Sequence, residues 1–143
     1  MNSPLYTTEI LRLAMAAAAH PRLAAPSVSA EARTPVCGSR IAIDLALDDG
    51  GRVRALGMDV HACAMGQASA GLFAAALPGR DATAIASARA ALAMWLGGAG
   101  ETAPDWPGIA ALAPARAYPA RHAAILLPFD AALSAFAQRS VAA

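Results

Sequence analysis

The sequence predicts an α+β fold with an antiparallel sheet, on three observations. A segment of helical period opens the chain, a period-two stretch around an Asp-Gly turn runs from Arg40 to about Val60, and the chain after Cys63 reads as helix. Strands grouped together and then followed by helices give an antiparallel sheet under a helical layer, not a doubly wound sheet.

Taken in order, Ser3-Pro4 reads as an N-cap followed by the first helical residue, and Tyr6, Ile10, Leu13 and Ala17 recur at helical spacing until His20-Pro21 stops them. The first helix is therefore predicted over 4–19. Residues 20–36 hold three prolines among Ser, Ala and Thr, which suits an extended connector, with 28–36 as the nearest candidate for a third strand. From Arg40, Ile41, Ile43, Leu45 and Leu47 share one face, Asp48-Asp49-Gly50-Gly51 forms a turn, and a second arm follows from Arg52. Val53 and Ala55 fall out of phase with Leu56, Met58 and Val60, and Gly57 marks the expected bulge. A helix from Cys63 to about Leu77 breaks at Pro78-Gly79, and the next starts with Asp81 as cap and carries Ile85, Ala88, Leu92 and Trp95 inward until Gly97-Gly98. A short helix over 107–112 follows, then a last one presenting Phe129, Leu133 and Phe136, with Pro128 near its start or at a kink.

Composition narrows the function classes. With 143 residues, 57% of them hydrophobic, the chain has the length of one domain and enough apolar side chains for a core. Much of that content is alanine, and no run reaches the ~20 apolar residues of a spanning helix. Glu9 and Arg12 argue against a secretory leader, so the expected compartment is the cytoplasm, where thiols stay reduced. All eleven basic residues are Arg, scattered singly against ten acidic ones, which is a poor fit to nucleic-acid binding. Gly97-Gly98-Ala99-Gly100 lacks the lysine and strand of a phosphate loop, and no third group completes a Cys–His nucleophile, so an enzyme is not expected.

The two cysteines carry the chemistry. Thr34-Pro35-Val36-Cys37-Gly38 sets one thiol on a tight turn entering a strand. Cys63-Ala64-Met65-Gly66-Gln67-Ala68-Ser69 sets the other where a strand hands over to a helix, whose free N–H groups suit a thiolate. The plainer reading of each is a small buried thiol. His61, two residues before Cys63, is the other nearby donor, while His20 belongs to a helix-ending turn and Trp95 and Trp106 to the core or its rim.

The pieces His20-Pro21-Arg22, Thr34-Pro35-Val36-Cys37-Gly38-Ser39-Arg40-Ile41, Cys63 with Ala68-Ser69, Pro78-Gly79-Arg80 and Pro119-Ala120-Arg121-His122 stand in an order that resembles the NifU N-terminal-like iron–sulfur scaffold family, in its SUF-type and ISC-type branches. The resemblance spans nearly the whole chain. It implies one scaffold domain over residues 1–143, a three-stranded antiparallel sheet covered by about five helices, and a nascent Fe–S cluster, iron or zinc held between loops at one end of the sheet. Cys37 matches the first family cysteine and Cys63 the second; Ser39 stands where the family has an aspartate, and His122, Ala123 and Ala124 stand where it has the third cysteine. His122 lies at or beside a histidine of the ISC-type branch. The implied metal ligands are thus Cys37, Cys63 and His122, and the implied partners a cysteine desulfurase and acceptor apoproteins. A cluster or a structural zinc wants four ligands, so the set is short by one unless His61 or a second chain completes it. The alternatives are an interaction or regulatory module of the same fold with a decayed site, and a structural zinc protein.

Overall fold

The β-hairpin at the centre of the chain positions everything else. In the computed structural model, which describes residues 6–35 and 38–142 and side chains as far as Arg139, β1 is Val28–Arg33, β2 is Arg40–Leu47 and β3 is Val53–His61. They form one antiparallel sheet in the order β1-β2-β3. Ile41, Ile43 and Leu45 of β2 lie level with Ala32, Ala30 and Val28 of β1 and with Val60, Met58 and Leu56 of β3, which makes the inner, apolar face. The turn after β2 is built by Asp48, whose carboxylate accepts from the N–H groups of Gly50 and Arg52 at 2.9 Å each.

The irregularity in β3 falls at a place the alternation does not give. Leu45 pairs with Leu56, Ala46 with Ala55 and Leu47 with Val53, so Arg54 is the extra residue of the bulge, and Val53 returns to the buried face. Gly57 is regular in register and serves a different need. A Cβ there would lie 2.3 Å from the Pro21 carbonyl oxygen and 2.9 Å from the Arg22 Cα, because residues 20–23 cross the outer face of the sheet directly above it. This strap is pinned by Asp44, which accepts from Arg22 Nε at 2.6 Å, Arg22 guanidinium N–H at 2.8 Å, the Leu23 N–H at 3.0 Å and the Ser29 hydroxyl at 2.6 Å.

Helices cover the inner face. The first, α1 (Thr8–Ala16), is capped by the Thr7 hydroxyl and continues as a 3₁₀ turn to Ala19. The predicted cap at Ser3-Pro4 lies outside the described residues. α2 (Ala64–Ala76) is buried almost all round: of the ten positions from Met65 to Ala74, nine are small or apolar and buried, and only Gln67 is half-buried. α3 (Ala82–Leu96) is capped by Asp81 as predicted and buries Ile85, Leu92 and Trp95. The expected helix over 107–112 is instead a 3₁₀ stretch, Ile109–Ala117, with Pro114 inside it. α4 (His122–Ala142) packs across β1 and β2 and against α2 and α3, with Ala131, Ala132 and Ala135 fully buried. Pro128 sits within α4, not at its start. Phe73, Trp106 and Phe129 close the core, Trp106 stacked on Phe73 at 5.2 Å and donating its indole N–H to the Leu72 carbonyl. Among the described residues no helix is long and apolar enough to cross a membrane.

Candidate functional site

The two cysteine frames converge at one end of the sheet. The loop joining β1 to β2 is closed at its base, where the Thr34 N–H donates to the Ser39 carbonyl at 2.9 Å and the Ser39 N–H to the Thr34 hydroxyl at 3.0 Å. Both residues are buried. Cys37 itself lies outside the described residues, so its thiol has no placement here; Gly38, bonded to it, is exposed.

Cys63 follows the end of β3 by two residues and is the N-cap of α2, half-buried and not in a disulfide. Its carbonyl accepts from the Gln67 N–H at 2.9 Å, and Gln67 turns its side-chain amide back to the Ala62 carbonyl at 3.0 Å, which fixes the strand-to-helix corner. Gly38, Ser39, Val60, His61, Ala62, Cys63 and Gln67 together line an open recess of about 450 Å³. Gly38 and Ser39 of the β1–β2 loop and Cys63 at the start of α2 therefore share one depression.

The two histidines are placed differently. His61 lines the recess, and its Nε2 lies 3.2 Å from the Asp59 carboxylate, both side chains about half exposed. His122 is at the first turn of α4 and outside the recess lining; its Nε2 donates to the Ala115 carbonyl at 2.9 Å, which leaves Nδ1 as the ring's lone-pair nitrogen. Among the described residues no three His, Cys, Asp or Glu side chains stand close enough to hold a metal ion.

The first turns of α2 and α4 pack tightly behind the recess. A Cβ on Gly66 would fall 2.8 Å from the Ala62 Cβ and 3.2 Å from that of Ala124. One turn further on, the Ser69 hydroxyl donates to the Ile125 carbonyl at 2.5 Å. That carbonyl lies in the part of α4 where Pro128, lacking an N–H, removes the helical bond to Ala124.

Comparison with solved structures decides the family. The chain is similar to a nitrogen-fixing NifU-like protein (N-terminal) from Brucella abortus, with 33% identity over 97% of this chain and 96% of that chain, at a TM-score of 0.88. The chain belongs to the NifU N-terminal-like family. A putative iron–sulfur cluster assembly scaffold protein for the SUF system from Fervidobacterium islandicum AW-1 shares the fold, at 20% identity and a TM-score of 0.81 over 92% of this chain and 96% of that one. No family model matches the chain, and neither does any protein of curated function.

The resemblance sets His122, Ala123 and Ala124 against the third family cysteine, and the last of these is sealed in the packing. Ala124 is 1% exposed, and its Cβ fills the space between the first turns of α2 and α4. Two features, one in the site and one outside it, were not foreseen from sequence. Gln67 reads as an interruption in an apolar run, and its role as a corner brace depends on a carbonyl five residues back. Asp44 did leave a signal, since a carboxylate inside Ile41-Ala42-Ile43-Asp44-Leu45 must meet a partner once that strand is covered on both faces.

Proposed function

We propose that this chain is an iron–sulfur cluster assembly scaffold-like protein, not an enzyme, that takes iron, a nascent cluster or zinc as its cargo through Cys37 and Cys63. The observation that carries this reading is the shared recess, in which the neighbour of Cys37 and Cys63 itself meet at the end of the sheet. Thiolates are the ordinary ligands of Fe–S clusters and of zinc. His122, outside the recess lining, is the third donor in this reading on the strength of the sequence resemblance. Its Nε2–H bond to the Ala115 carbonyl has the form that orients ligating imidazoles elsewhere and leaves Nδ1 for the cargo. Few ligands and an open recess suit a cargo that must leave again.

A cysteine desulfurase is the sulfur source and acceptor apoproteins are the recipients in this proposal, working in the cytoplasm. One observation favours a second reading, an interaction or regulatory module with a decayed site: none of His122, Ala123 and Ala124, which the resemblance sets against the third family cysteine, is a thiol. Cluster transfer separates the two. Protein loaded anaerobically with iron and sulfide is mixed with an apo-ferredoxin; a scaffold loses its visible absorbance as the ferredoxin gains its own. A chain that never gains absorbance is the module, and one that is stabilised by zinc and loses melting temperature on chelation is a structural zinc protein.

A further inference from the structure

The outer edge of β3 is clamped by backbone from elsewhere in the chain, but the clamps stop short of the recess. Near its start, the Val53 N–H donates to the Arg80 carbonyl at 2.9 Å and its carbonyl accepts from the Gly79 N–H at 2.8 Å. Further along, the Met58 N–H donates to the His20 carbonyl at 2.7 Å. The register with β2 is unbroken from Leu56 to His61, so the backbone groups of Val60, two residues on, point to the same outer side as those of Met58. They have no partner there among the described residues.

This open end of the edge lies in a groove. Ala14, Ala17 and Ala18 of α1 and its 3₁₀ turn, Met58, Asp59 and Val60 of β3, and Gln67 of α2 line it around a volume of about 280 Å³. Val60 and Gln67 also line the recess that holds Cys63, so groove and recess adjoin.

We infer that this edge docks one short extended segment of a partner protein as an added strand alongside Val60, leading towards Cys63. An extended backbone is the occupant because the vacant groups are an N–H and a C=O of one strand residue, which a neighbouring strand matches and a helix does not. Docking rests on backbone geometry alone; its use, bringing an acceptor's ligands to the cargo, rests on the scaffold reading above.

The test is metal-free. A fluorescein-labelled five-residue peptide of alternating threonine and leucine is titrated against the apoprotein while amide exchange is followed by NMR. Docking predicts slower exchange at Val60, and a loss of affinity of about tenfold for Val60→Pro, one backbone hydrogen bond's worth. Proline is tolerated there because the N–H it removes faces outward from an edge strand. Ala18→Glu, on an exposed wall of the groove, gives an independent loss. No binding, equal binding to both variants, or protection confined to other amides overturns the inference. Val60 protection that rises with protein concentration and no peptide assigns the edge to a second copy and overturns it too. Failure of peptide docking leaves cluster loading untouched, and failure of loading leaves docking untouched.

Discussion

Replacing Asp44 by asparagine should remove most of the acid sensitivity of this fold along with a measurable part of its stability. The Asp44 carboxylate is 2% exposed, and the Arg22 guanidinium, the Ser29 hydroxyl and the Leu23 N–H hold its pKa down from 3.8 to about 2, against the opposing effect of burial. Arg22 is half exposed and can rehydrate when the pair is broken, so only the carboxylate's own shift is converted to energy. A depression of nearly two units corresponds to about 2 kcal/mol of stability, in full above the unfolded value near 4 and lost as pH falls through the folded value near 2. Asparagine cannot titrate, and its amide meets donors it cannot satisfy. Urea unfolding of wild type and Asp44→Asn between about pH 6 and pH 2.5 should therefore show the variant less stable by about 2–3 kcal/mol at the upper end, with the gap narrowing by about 1.5 kcal/mol at the acid end, which is still just above the folded value. A gap that stays constant over this range would refute the assignment of that stability to the ionised carboxylate.

Three further perturbations follow from the packing. Gly57→Ala should cost about 1–3 kcal/mol in urea unfolding and speed exchange of the Met58 amide, because the new methyl meets the backbone of the 20–23 strap and not a flexible side chain. Thr34→Val should cost about 1 kcal/mol by removing the hydroxyl that accepts from the Ser39 N–H, and should lower iron uptake more than that loss of stability implies, since the loop it closes carries Cys37. Ser69→Ala should cost about 1–2 kcal/mol by leaving the Ile125 carbonyl short of a donor between α2 and α4, read as a lower urea midpoint with an unchanged slope.

The sheet was legible because alternation is a property of neighbouring residues, and Ile41, Ile43 and Leu45 face the core as their spacing says. The bulge was legible only as a change of phase at Val53. A glycine inside a strand marks either an irregularity or a close backbone approach, and Gly57 is the second, with the strap that demands it more than thirty residues away in sequence. Asp81 announced α3 through a local cap, whereas the 3₁₀ course of Ile109–Ala117 depends on Pro114 and on packing beneath α3. At the candidate site the helix-start setting of Cys63 was readable from a local motif. That Gly38 and Ser39 line one recess with it was not, since this depends on the loop after β1 and the corner after β3 emerging at the same end of the sheet. His122 was readable as a motif residue, while its bond to Ala115 is set by how the 3₁₀ stretch folds back on the start of α4.

The most direct measurement is iron and sulfide content after anaerobic reconstitution of the wild type, Cys37→Ser and Cys63→Ser, with urea unfolding alongside to show that each variant is folded. A shared site predicts stoichiometric iron and sulfide with visible absorbance in the wild type and loss of both in either variant. Full loading that survives both substitutions, or a wild type that takes up nothing, would contradict it.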